Sequence, residues 1–425
     1  MTRTFVRLAF IISSIVAGLA DAQESASVTN LTLATAVDIA LQKNPRLQSL
    51  RAKWEAMLER PDQAKALPNP MLSYSGMDMV DGGRWPDTNE KRVMIQQAFP
   101  WLGKRTLRAN VATKDAERMQ HELNAMTREM IMRVKESYFE LFGIQRMIAI
   151  TTEEEATLLH MTKIVESRFA AGTADQTDAI KAQSEATLLK QKLFELRMQE
   201  NTLRSTLNTL MNRTANTPLG KLVNPPSLDL PIEEVSRLVE YAIQHRPEML
   251  AAQTQIERYG LEKRLMEKEF LPDYKLGVEY RDIQSENSML MFTISVELPI
   301  WQSKYKAGIR EAERMQASSM AEREAIEHQI AQEIQDAHFK WITTQRTIAL
   351  YNTELLPQAK ARFAASEAGY RTGKVDFLDL LESERFLLNA KTVTAQAEAT
   401  LGMQAARLEW AIGRTILTLA PDQKK

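Results

Sequence analysis

Asp273-Tyr-Lys-Leu-Gly-Val-Glu-Tyr-Arg281 and, shortly after it, Met289-Leu-Met-Phe-Thr-Ile-Ser-Val-Glu-Leu298 decide the fold. In the first, Tyr274, Leu276, Val278 and Tyr280 alternate with Lys275, Gly277, Glu279 and Arg281. In the second, Leu290, Phe292, Ile294, Val296 and Leu298 alternate with Met291, Thr293, Ser295 and Glu297. A period of two with one apolar and one polar face predicts strands, over about 274–282 and 289–298, with Gln284–Ser288 as the hairpin loop. Strands of this length match a membrane barrel, and Tyr274 and Tyr280 sit where interfacial aromatics belong; the alternative is a half-buried hairpin of a soluble sheet. A weaker pair lies near 71–80 and 91–99, where Asp78 interrupts the first strand and Val93, Ile95 and Phe99 carry the second, with Asp81–Asp87 between. Four strands cannot close a barrel, since the smallest membrane barrels have eight, so a spanning chain must oligomerise; three copies give twelve.

Outward from the hairpins the pattern changes. Gly103 to about Ala171 has no Pro and is rich in Ala, Leu, Met, Glu, Gln, Lys and Arg, and Ser303 to about Thr372 has a similar composition. Each reads as one very long helix, roughly 100 Å at 1.5 Å per residue, packed in a coiled-coil-like bundle. The two halves of the chain match at an offset of about 200 residues. Ala40-Leu-Gln-Lys-Asn44-Pro45 pairs with Ala242-Ile-Gln-His-Arg246-Pro247, Leu67-Pro68 with Leu271-Pro272, and Phe169-Ala-Ala-Gly172 with Tyr370-Arg-Thr-Gly373. Tandem duplication of one module follows, with repeats at 23–213 and 232–414, a linker at 214–231 and a tail at 415–425.

Arg3 and Arg7 ahead of the apolar run from Leu8 to Ala17, with Ala20-Asp-Ala22 after it, form a secretory signal pattern, 1–22, with cleavage expected after Ala22. The chain's 425 residues carry 54 Lys+Arg against 55 Asp+Glu, which denies a nucleic-acid binder its electrostatic footprint. The absence of Cys excludes disulfide scaffolds, thiolate chemistry and lipid attachment at an N-terminal Cys. No Gly-rich phosphate loop or zinc-protease helix motif is present, and the five His (His121, His160, His245, His328, His338) lack ligand spacing, so neither enzyme, cofactor nor metal site is expected. The 21 Met admit two readings, a metal path through Met71, Met77, Met79, Met289 and Met291 or ordinary packing filler.

The duplicated order of helix, hairpin, long helix, turn and helix resembles the outer-membrane efflux family, the TolC-like trimeric exit ducts. So do the two turn motifs, in which an aromatic-x-x-Gly is followed six residues on by Asp: Phe169 to Gly172 with Asp178, and Tyr370 to Gly373 with Asp379. The run Phe99-Pro-Trp-Leu-Gly-Lys-Arg105 is similar to the heavy-metal cation branch. The resemblance implies a mainly α fold with a transmembrane β-barrel, trimeric, twelve strands above a periplasmic helical tunnel, acting as a passive conduit and not an enzyme. It implies a homotrimer in outer-membrane lipid, a periplasmic adaptor and a proton-driven inner-membrane transporter as partners, and heavy-metal cations as cargo, with drugs the alternative cargo. The rival from another class is a soluble periplasmic coiled-coil scaffold or the adaptor itself.

Beyond Gly373, Asp376, Asp379 and Glu382 recur every third residue, whereas the equivalent positions of the first repeat hold Asp175, Asp178 and Lys181. Acids there favour the helix dipole, a sufficient account of Asp175 and Asp376. For Asp379 and Glu382 the resemblance implies a pore constriction, with rings of carboxylates in a trimer. It implies adaptor docking at Gly172, Thr173, Tyr370, Arg371, Gly373 and Lys374.

Overall fold

The computed structural model describes residues 30–77, 90–172, 175–224, 234–283 and 287–415; the signal pattern, Thr173, Met79 and most of both hairpin loops fall outside them. In the first repeat β1 (Asn30–Leu31) is followed by α1 (Leu33–Lys43), α2 (Pro45–Leu58) and α3 (Arg60–Lys65), the hairpin β2 (Met71–Met77) and β3 (Glu90–Phe99), then α4 (Lys104–Ala170) and α5 (Gln176–Leu210). After β4 (Lys221–Leu222) the order returns: α6 (Val235–His245), α7 (Pro247–Lys268), β5 (Asp273–Ile283), β6 (Met289–Glu297), α8 (Gln302–Leu350), α9 (Leu356–Arg371) and α10 (Phe377–Ile412). Among the described residues no helix is long and apolar enough to cross a membrane.

The chain divides into two compact units, residues 46–128 with 234–334, and residues 1–45 with 129–233 and 335–425. The first holds a four-stranded antiparallel sheet in the order β2-β3-β5-β6. Its register aligns Leu72 with Ile95, Ile95 with Val278 and Val278 with Phe292, and likewise Tyr74, Val93, Tyr280 and Leu290. From Tyr74 and Leu72 to the Phe99 and Tyr274 rings, stacked at 5.5 Å, one face is therefore apolar across the four strands save for Gln97 opposite Leu276. Leu72, Phe292 and Ile294 on it are more than 70% exposed. The other face carries Ser73, Gln96, Lys275, Thr293 and Ser295, with Arg92 2.5 Å from Glu90 and Arg281 also paired to Glu90.

Below the sheet, the Gly103-Lys104 step has a structural reason. Gly103 turns the chain at φ +91°, and Lys104, almost wholly buried, sends its ammonium to the Leu271 carbonyl (2.8 Å), Asp273 (2.8 Å) and Glu269 (3.2 Å). The Trp101 N–H donates to the same Asp273 carboxylate at 2.7 Å. Also in this unit, Arg246 stays extended ahead of Pro247, and its buried guanidinium reaches Glu333 (2.6 Å) and Glu248 (3.0 Å).

In the other unit Asn44 is the counterpart of Arg246, also extended ahead of a Pro, but its amide donates to the Leu210 carbonyl at 3.0 Å. β1 and β4 pair in parallel, and the Tyr138 hydroxyl lies between the carbonyls of Leu31 (2.9 Å) and Val223 (2.7 Å). A buried Lys135–Glu409 pair joins α4 to α10.

The expectation of one unbroken helix over 303–372 is corrected. α8 stops at Leu350, Tyr351–Leu355 form a π-helical turn in which the Leu356 N–H reaches the Tyr351 carbonyl, and α9 starts with Pro357 at its second residue. Pro357 has no N–H for the carbonyl four residues back and its ring crowds that carbonyl, so the ladder widens by one residue. The helical composition around Pro357 is strong enough to mask this break.

Candidate functional site: the two helical turns

Both α4 and α9 end in a left-handed glycine. At the second turn the Gly373 N–H donates to the Tyr370 carbonyl (3.1 Å) and the Lys374 N–H to that of Gly369 (2.8 Å). This is a Schellman closure with Gly373 at φ +75°. At the first turn the Gly172 N–H donates to the Phe169 carbonyl (2.9 Å), with φ +71°; Thr173 lies outside the described residues. The next helix begins differently in the two repeats. Asp376 caps α10, its Oδ1 accepting from the Asp379 N–H at 2.8 Å, whereas the Asp175 side chain makes no capping bond on α5.

The turns share one core. Leu158, Met161 and Val165 of α4, Ala182, Ala186 and Leu189 of α5, Tyr370, and Phe377, Leu380 and Leu381 of α10 pack together. Tyr370 points into this core, its ring edge-on to Phe377 (5.8 Å) and beneath the Arg168 guanidinium (4.6 Å), while Arg168 also donates to the Tyr370 carbonyl at 2.7 Å. Burial pushes the Tyr370 phenol up, against the lowering influence of Arg168. Its role is to bind one turn to the other, and the outward surface there belongs to Arg371 and Lys374, both exposed, with Arg371 held to Glu367 at 2.7 Å.

Burying Phe377, Leu380 and Leu381 leaves Asp376, Asp379 and Glu382 on the exposed side of α10. In the first repeat Asp178 is paired with Lys181 at 3.6 Å, whereas among the described residues Asp376, Asp379 and Glu382 of the second turn make no direct ion pair, Arg385 acting on Glu382 only from the next turn. Among the described residues no three His, Cys, Asp or Glu gather to hold a metal ion. Two residues with a part in the turn have no signal in composition or spacing: Gly369, where a Cβ would stand 2.4 Å from Val375 Cγ2, and Arg168, over Tyr370.

The outer membrane efflux protein family model matches residues 36–213 and 238–414, once for each repeat. The chain belongs to this family. Its members are channels and not enzymes, and the chain shares their fold, the duplicated helical tunnel with a β-barrel. The cobalt-zinc-cadmium resistance protein CzcC of Cupriavidus metallidurans is 23% identical over 366 residues, 85% of either chain. Among solved structures, the outer membrane protein VceC of Vibrio cholerae superposes with a TM-score of 0.76 at 18% identity, covering 91% of this chain and 97% of its own. CusC superposes with a TM-score of 0.78 at 18% identity, covering 90% and 92%.

Proposed function

We propose that the chain is the outer-membrane exit duct of a tripartite efflux pump, working as a homotrimer. The observation that carries this is the sheet: four strands, apolar across one face, with β2 and β6 each paired on one side only among the described residues. An apolar sheet face and two open edges are unstable in water, and three copies joined edge to edge close twelve strands with the apolar face toward lipid. Residues 1–22 direct export and are removed, and 23–213 and 232–414 are the two repeats of the mature chain. A periplasmic adaptor docks at the turns through Gly172, Thr173, Arg371, Gly373 and Lys374, with Tyr370 holding them from inside. Asp379 and Glu382 from three copies form the constriction, where carboxylates in a narrow neck attract cations. An inner-membrane, proton-driven transporter supplies the energy.

The similarity to CzcC, together with the Phe99 to Arg105 run, favours heavy-metal cations as cargo over drugs. Family membership and the open sheet edges speak against a soluble scaffold or adaptor. Fractionation tests the proposal: a heat-labile trimer extracted from outer membranes by detergent is expected, and a soluble monomer in periplasmic extract refutes it. Deleting the gene should sensitise cells to cobalt, zinc or cadmium; sensitivity to drugs alone would reassign the cargo.

A further inference from the structure

Two carboxyl groups meet inside the unit that holds the turns, and the proposed duct has no use for them. Glu154 of α4 and Glu384 of α10 are each only 2% exposed. Their side chains are within hydrogen-bonding reach of one another. Glu154 also faces Lys391, whose ammonium donates to it at 3.3 Å. Glu384 Oε1 is fully buried and accepts no hydrogen bond from any protein group. A carboxylate buried without a donor is costly, and two ionised carboxylates side by side are costlier still. A single proton between them resolves both difficulties: Glu384 becomes a donor to Glu154, and one negative charge remains opposite Lys391.

Among the described residues the one other cation that acts on Glu384 is Arg385, which opposes the rise of its carboxyl but is committed elsewhere. From α5, Glu185 faces the pair but is already held by Arg385 of α10, whose Nε donates at 2.9 Å. From α9, Arg362 lies over the Phe386 ring at 5.5 Å. Glu382 lies two residues away on the exposed side of α10. Among the described residues Lys391 is the one cation hydrogen-bonded to the pair, through Glu154, and it balances one charge.

We propose that Glu154 and Glu384 form a proton-operated latch between α4 and α10: with one shared proton they tie the helices together, and its loss sets two like charges against each other and loosens that contact. Burial, with Glu154 alongside, pushes the Glu384 carboxyl up to about 9 from an ordinary 4.5. An unfolded glutamate has lost its proton well below neutrality while the folded one keeps it, so the latch's contribution to stability is fully present below about 4.5. It falls as pH rises and is gone above about 9. Neutral and acidic conditions close the latch and alkaline ones open it. Asp379 and Glu382 lie on the same helix, so if they form the constriction, the latch sets how firmly α10 holds it; the latch itself does not depend on that reading.

The test uses the full chain in detergent. Infrared difference spectra of wild type minus Glu384→Gln should show a protonated carboxyl stretch at neutral pH that titrates away with a midpoint near pH 9. A spin label at Asn389→Cys, in a chain without native Cys, should gain mobility over the same range in wild type and in Glu382→Gln, and stay unchanged in Glu384→Gln. Lack of a neutral carboxyl band in wild type overturns the proposal, a result that needs no variant to fold. An alkaline mobility change that persists in Glu384→Gln also overturns it.

Discussion

Gly373 and Gly369 serve one turn for different physical reasons, and a substitution series separates them. Gly373 has φ +75°, and a Cβ built on it meets nothing within 4 Å. Its penalty for a side chain is therefore purely conformational: roughly 1 kcal/mol for Ala, roughly 2 for β-branched Val, and a few tenths for Asn, which tolerates the left-handed region. At about 1.4 kcal/mol per factor of ten, the open population of the turn should rise about fivefold in Gly373→Ala and about thirtyfold in Gly373→Val, and less than about twofold in Gly373→Asn. Arg371 and Lys374 flank the glycine, so limited trypsin digestion followed by mass spectrometry reads that population directly where closing outpaces cleavage. Gly369 has no positive φ; its Cβ would collide with Val375 Cγ2 at 2.4 Å. Gly369→Ala should loosen the turn by about 1–3 kcal/mol through overpacking, and Val375→Ala should restore it. In cells Gly373→Val should abolish pump-dependent resistance while trimers still insert, with Gly373→Asn retaining it. Equal loss in Asn and Val, with trypsin sensitivity unchanged in both, would refute the backbone argument and make the bare glycine surface a contact in its own right.

Other consequences are as direct. Replacing Asp379 by Asn and Glu382 by Gln should abolish cation selectivity and weaken block by multivalent cations in planar bilayers; an unchanged reversal potential in asymmetric KCl would leave these acids only their dipole role, ~0.3–1 kcal/mol per site. Lys104→Met removes the one ammonium shared by Leu271, Asp273 and Glu269 and should lower stability by about 2–4 kcal/mol, read as earlier loss of the detergent-resistant oligomer on heating. Asp273→Asn, which keeps an acceptor for Trp101 N–H, should cost less than Lys104→Met, and the reverse order would contradict the assignment of Lys104 as the centre of that cluster.

The sheet and the long helices were legible because each rests on a local period. Tyr274 to Tyr280 and Leu290 to Val296 alternate whatever lies far away in the chain, and the duplicated turn motifs stand at fixed offsets. What composition and spacing miss is set by contact across the chain. The break at Pro357 is masked by strongly helical surroundings, and the π turn that accommodates it has no sequence pattern of its own. Tyr370 reads as a surface aromatic beside a glycine, but Arg168, 202 residues earlier, and Phe377 hold it in the core. Glu384 looks like one more acid on a helix rich in them, and only the arrival of Glu154 beside it, itself bonded to Lys391, gives it a separate chemistry.

The two repeats build the same turn with different starts to the helix that follows it. Both turns keep the left-handed glycine, and both feed the same core, Phe377, Leu380 and Leu381 packing against Ala182, Ala186 and Leu189. They part at the start of the next helix. On α10 the cap is made by the Asp376 side chain, which leaves the carboxylates of Asp379 and Glu382 without a capping duty; the next cation of the stripe, Arg385, acts on Glu382 but is ion-paired with Glu185. On α5 no side chain caps the helix, and Lys181 stands where Glu382 stands, pairing with Asp178. A helix start that needs its acids for its own stability has little charge to offer a passing ion. The second turn meets that need one residue before the helix begins, and the acids behind it are free to act on solvent, which is the physical reason to seek the constriction there.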